Sequence, residues 1–169
     1  METTKNAGAL RTILSQPSNN TTTWIGHLQS DPVSHLAGQT FISPEEGMLE
    51  SIQVYSSLVQ YPGKLTLTLH EFDSGSKNWT NAFADSSCVV SKNDRDKWLT
   101  FHFDYAILQE GKSYGFRLQS YDAMIGIGEF ARNNDQPCAF GQEWNADTNN
   151  PHGSYFSWFS LAFKLQMAG

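Results

Sequence analysis

Three stretches decide the fold: Lys64–Phe72 reads KLTLTLHEF, Trp98–Asp104 reads WLTFHFD and Tyr114–Ser120 reads YGFRLQS. In each, large apolar residues alternate with polar ones. Side chains on a strand point to opposite faces with period two, so each run builds one oily face and one wet face. The oily positions are Leu65, Leu67 and Leu69, then Leu99, Phe101 and Phe103, then Tyr114, Phe116 and Leu118. The wet positions are Thr66, Thr68 and His70, then Thr100, His102 and Asp104, then Arg117 and Gln119. The pattern predicts an antiparallel sheet that covers a core on one side and meets solvent or a ligand on the other.

Turn signals punctuate the rest of the chain. Tyr61-Pro62-Gly63 breaks the strand pattern ahead of Lys64, and Ser43-Pro44-Glu45-Glu46-Gly47 separates GQTFI (Gly38–Ile42) from a longer run at Met48–Leu58. Trp24–Leu28, Ala82–Ser91 and Met124–Gly128 read as further strands. The segment Tyr155–Met167 alternates through Phe159, Leu161, Phe163 and Leu165. No helix and no internal repeat emerges. Short strands at this spacing predict an all-β fold, an antiparallel β-sandwich of jelly-roll type. Residues 1–22 read as a flexible polar arm, in which Ala9–Leu14 is an apolar patch able to pair as an edge strand or to begin a helical turn. Residues 23–169 read as a single sandwich domain.

Composition agrees with this class. The chain has 169 residues, of which 39% are hydrophobic and 13% aromatic, enough for one domain with its own core. Only 17% are charged, the formal net charge is −6, and no basic patch interleaves with the aromatics, so nucleic acid is not an expected partner. No apolar run approaches the roughly 18 residues of a membrane span, and the first twenty residues lack the apolar stretch of a secretory signal. Cys88 and Cys138 are open to pairing or to remaining free thiols.

The order of landmarks carries a resemblance. GQTF, GMLESIQVY, PGKLTLTLHEFD, WLTFHFDYAIL followed after two residues by GKSYGFRL, then GQEW and LAFKL, resemble a bacterial carbohydrate-binding-module-like jelly roll over residues 38–165. Such modules are appended to secreted or surface proteins, including polysaccharide-degrading enzymes. The resemblance implies a secreted or cell-surface setting and a glycan ligand.

Sugars present apolar C–H faces edged by hydroxyls, so their sites combine an aromatic platform with amide and carboxylate groups. The loop residues Trp79, Glu129, Arg132, Asn134, Gln142, Glu143, Trp144 and Asn145 supply both, and they form the expected ligand-binding set. Trp144 is its favoured platform because Gln142, Glu143 and Asn145 flank it. If so, Trp144→Ala weakens binding by about 1–3 kcal/mol and leaves the fold intact. The competing reading is that each Trp folds back to cap the sandwich. A second patch is the wet face of the sheet itself: Thr68, His70, Thr100, His102, Arg117 and Gln119. Its simpler reading is a solvated surface.

No catalytic residue is assigned. Gly126-Ile127-Gly128 opens no helix, and no nucleophile elbow is present. Glu129 and Glu143 are the one carboxylate pair weighed as the acid and base of a glycosidase or lyase. The five histidines show no metal spacing. No cofactor is expected apart from a structural calcium ion, toward which Glu71, Asp73 and Asp147 could contribute without fixing a ligand set. The expectation is therefore a non-catalytic module that binds carbohydrate. A structural or assembly domain contacting a protein partner, with Phe156 and Trp158 outward, is the alternative, and a polysaccharide-active enzyme comes third.

Overall fold

The computed structural model describes residues 10–28, 30–133 and 137–168. These hold fifteen strands and, between them, no α-helix. In chain order they are β1 (Leu10–Gln16), β2 (Thr21–His27), β3 (Ser34–Ile42), β4 (Gly47–Tyr61), β5 (Gly63–Asp73), β6 (Asn78–Trp79), β7 (Ala84–Val90) and β8 (Lys97–His102). There follow β9 (Ile107–Leu108), β10 (Ser113–Gln119), β11 (Met124–Ala131), β12 (Glu143–Asp147), β13 (Asn150–Phe156), β14 (Phe159–Leu161) and β15 (Phe163–Ala168). All pairings are antiparallel, and the ladder β1-β15-β4-β11-β2-β3-β10-β5-β6 runs through the molecule without closing. The class is that expected: all-β and sandwich-like. No helix among the described residues is long and apolar enough to cross a membrane.

The ladder folds over at β2–β3, where only Gly26↔His35 and His27↔Ser34 pair. On one side of this corner lie β1, β15, β4, β8 and β11. On the other lies the order β13-β12-β3-β10-β5-β7. The two layers meet through aromatic rings: Phe163 of β15 stands 5.6 Å from Phe116 of β10 and 6.5 Å from Phe41 of β3. Burying these faces is the principal stabilisation of such a domain.

All nine oily positions of the three deciding runs are buried. Their arrangement differs from a single three-stranded patch. β5 and β10 are neighbours, with Leu69 opposite Phe116 and Leu67 opposite Leu118. β8 instead pairs with β4 in the facing layer, Phe101 against Ile52 and Leu99 against Val54. Alternation reports which face a residue takes, not which sheet it joins, and both layers present the same pattern to a shared core.

The polar arm expected over residues 1–22 requires correction. Residues 1–9 lie outside the described ones, but Leu10–Gln16 form β1, paired to β15 from Leu10↔Ala168 to Gln16↔Phe163, and Thr21 already opens β2. β1 thus takes the edge-strand option that the apolar patch Ala9–Leu14 offered. Cys88 and Cys138 are both free. Burial raises the Cys88 thiol to about 11, so it stays protonated and poorly reactive at neutral pH.

Candidate functional site

The strand pairing places the outward residues of β12, β3, β10 and β5 in two adjacent rows. In one row Trp144 faces Gly38, which faces Arg117, which faces Thr68; in the next, Thr40 faces Gly115, which faces His70. The two glycines form a floor. A Cβ at Gly115 would lie 2.4 Å from the Trp79 ring, and one at Gly38 would lie 3.3 Å from the Trp144 ring and 2.3 Å from the Phe116 carbonyl oxygen. Glycine inside a strand here lets an indole lie on the sheet. Gly115→Ala is therefore expected to lift Trp79 from its seat and cost about 1–3 kcal/mol, with a shift of the Trp79 indole resonance in an NMR spectrum as the check.

Trp79 reaches this position on a tight hairpin. Asp73 Oδ1 accepts from the amides of Gly75 and Ser76, Lys77 takes a left-handed conformation at φ 54°, and β6 then returns with Phe72 opposite Trp79. An Asp that bonds the backbone two residues on is a recurring turn device. His70 secures the hairpin, its Nδ1 2.8 Å from the Thr80 carbonyl oxygen and its Nε2 2.8 Å from the Thr68 hydroxyl. Burial, with Arg117 adding to it, lowers the His70 pKa, so the ring is neutral at pH 7 and donates from Nδ1 to the carbonyl. The Trp79 Nε1–H donates to the Tyr155 hydroxyl at 2.7 Å.

Arg117 rests over both indoles, its guanidinium carbon 4.2 Å from the centre of the Trp79 ring and 4.3 Å from that of Trp144, and the two rings pack on each other at 5.5 Å. Above them opens a cleft of about 600 Å³, walled by Trp79, Tyr155, Arg117, Lys77 and His152 and edged by Asn78 and Asn81. Lys77 Nζ rests 4.6 Å from the Tyr155 ring centre. This is the candidate site.

The expected binding set does not assemble around it. Trp79 lines the cleft, but Trp144 is 1% exposed beneath Arg117, with its Nε1–H donated to the His152 carbonyl, and offers no free face to a sugar. Trp144 is thus corrected from stacking platform to packed support. Glu143 and Asn145, whose partners on β3 are Gln39 and Ala37, point inward. Asn145 is spent on Thr23 and Glu143, Gln142 on Ser157, and Arg132 on Ser160. Asn134 lies outside the described residues. Of the second patch, Thr68, His70, Arg117 and Gln119 are neighbours on β5 and β10, whereas Thr100 and His102 lie on β8 in the other layer.

Glu129 and Glu143 do meet, on the inner face. Glu143 is fully buried; its Oε2 accepts from Asn145 Nδ2 at 2.7 Å, while Oε1 has no hydrogen-bond partner among the described residues. Burial first, and Glu129 second, push Glu143 up to about 10. Glu143 therefore keeps its proton at neutral pH. A glycosidase needs its carboxyls about 5 Å apart or more, with the glycosidic bond between them. Glu143 is fully buried, so no glycosidic bond can reach it.

The carboxylates weighed for calcium are engaged elsewhere. Glu71 pairs with Lys112 at 2.7 Å, Asp73 holds its turn, and Asp147 Oδ1 accepts from the amides of Asn149 and Asn150. Among the described residues no three His, Cys, Asp or Glu side chains cluster as a metal site. Neither a protein-family model nor a curated protein sequence matches the chain.

Proposed function

We propose that the protein is a non-catalytic binding module and that its ligand is a carbohydrate, held in the cleft of Trp79, Arg117 and Tyr155. One observation carries this reading: a half-buried indole and a tyrosine wall an open cleft whose other polar lining is amide, hydroxyl, imidazole and cationic. That combination suits a ring with an apolar face and a polar rim, and rigid aromatics provide contact area at little cost in conformational entropy. The cleft sits on strands and a braced hairpin, so binding requires little ordering of the protein. The resemblance of residues 38–165 to carbohydrate-binding-module-like jelly rolls points the same way.

A glycan-array screen of the wild type beside Trp79→Ala tests it. The expected result is a defined set of glycans bound by the wild type and weakened by about 1–3 kcal/mol in the variant, whose circular dichroism is unchanged. Binding that survives in Trp79→Ala would remove the cleft from the account. The assembly alternative has a specific observation of its own. Trp158 is 41% exposed, and Phe156 packs on Phe159 at 5.5 Å beside it. Light scattering that shows mass rising with concentration, and reverting in Trp158→Ser, would favour that role.

A further inference from the structure

We infer that the ligand of this cleft is an anionic saccharide, one that places a carboxylate or sulfate against Arg117. The inference rests on the carbohydrate reading above and specifies its substrate class.

Three observations converge on it. The first is charge. The chain as a whole is acidic, with 17 Asp and Glu against 11 Lys and Arg, yet no acidic side chain lines this cleft among the described residues, while Lys77 and Arg117 both do. A cation-lined concavity on an otherwise acidic protein concentrates the local potential of opposite sign to the surface around it.

The second is unspent hydrogen-bonding capacity. Arg117 makes no ion pair and no hydrogen bond among the described residues, and its buried Nε has no acceptor. A guanidinium carries five donors in a planar fork that matches a carboxylate or a sulfate oxygen pair. Nε is closed to solvent, so the donors that Arg117, as a cleft-lining residue, can offer to an acceptor from outside are its terminal N–H groups.

The third is that the fork is held in place. It rests on Trp79 and Trp144 at 4.2 and 4.3 Å, the two rings pack on each other at 5.5 Å, and the glycine floor fixes where they lie. The contacts that give Arg117 its position are with ring faces, which leave its N–H groups free. Burial lowers the Arg117 pKa, and the group remains a cation at any physiological pH. An anionic group would gain charge-assisted bonds here, while the sugar ring that bears it lies along Trp79 and Tyr155.

The test is calorimetric titration of the full chain with three oligosaccharide series of matched length: neutral, uronate-containing and sulfated. Wild type, Arg117→Lys and Lys77→Ala are compared at low and moderate salt. Lys77 is exposed, and because it sits at the left-handed position of the Trp79 hairpin its variant is checked for folding by circular dichroism. The expected result is binding of at least one acidic series and weaker binding of its neutral counterpart. Arg117→Lys, which keeps the charge but loses the fork, should weaken it by about tenfold. Lys77→Ala should weaken it by about threefold, with the loss shrinking as salt screens the charge. The acidic series that binds identifies carboxylate or sulfate as the group recognised. Neutral oligosaccharides binding as tightly as acidic ones, with both variants unaffected, would overturn the inference and leave the carbohydrate reading standing. No saccharide binding to folded wild type would overturn both.

Discussion

Trp144→Ala is expected to lower the unfolding free energy by about 3–5 kcal/mol, the range for truncating a buried tryptophan. The indole is 1% exposed, it lies on Gly38, and its Nε1–H is donated to the His152 carbonyl at 2.9 Å. Removing it opens a cavity under Arg117, orphans a carbonyl of β13 and takes away one of the two rings that hold the guanidinium. Ligand binding should fall as well, but as a consequence of the loosened support. Urea unfolding monitored by fluorescence and circular dichroism reads the first effect directly. A variant of wild-type stability that has lost only ligand binding would contradict the burial described above and restore Trp144 as a platform.

Glu143→Gln is expected to stabilise the protein, by an amount that grows with pH. The unfolded carboxyl titrates near its ordinary value of 4.5, and the folded one is raised to about 10. Between these values folding takes up a proton, so the wild type gives up about 1.4 kcal/mol of stability per pH unit. The contribution of this group is fully present below about 4.5 and is lost as pH rises toward 10. Glutamine does not titrate. Its carbonyl can accept from Asn145 as Oε2 does now, and its amide replaces a buried acid with a neutral donor. The two proteins should thus be of similar stability near pH 4.5, and the variant more stable by on the order of 3 kcal/mol at pH 7. Stability curves that stay parallel from pH 5 to 8 would show that Glu143 is not a buried, protonated acid.

The pattern in the chain announced the layers but not their partners. Leu65, Phe101 and Phe116 were legible as core because period-two alternation follows directly from strand geometry. That β8 sits across the core from β5 was not legible, since both layers bury the same kind of face. Trp144 stands among Gln142, Glu143 and Asn145, and polar neighbours suggest a wet loop. In a strand those neighbours at odd and even positions go to different faces, so Glu143 and Asn145 turn inward while Trp144 turns outward beneath Arg117. The signal that would have located the cleft was present in GQTF and YGFRL. Gly38 and Gly115 sit inside the strands read from GQTFI and YGFRLQS, where a glycine marks a close approach of another group. Arg117 was visible on the wet face, but its two aromatic neighbours come from residues 38 and 27 positions away, which only the pairing of β12 and β6 with the rest of the sheet could bring together.

The central claim is that the cleft over Arg117 is where a glycan binds. Five tryptophans give five indole N–H resonances, and only two of them border this cleft or its floor. Titrating ¹⁵N-labelled protein with the glycans selected by array screening should move the Trp79 indole signal, whose N–H bonds Tyr155, and leave those of Trp24 and Trp98 in place. Saturable binding with the Trp79 signal unmoved, and shifts confined to residues outside the cleft, would contradict it.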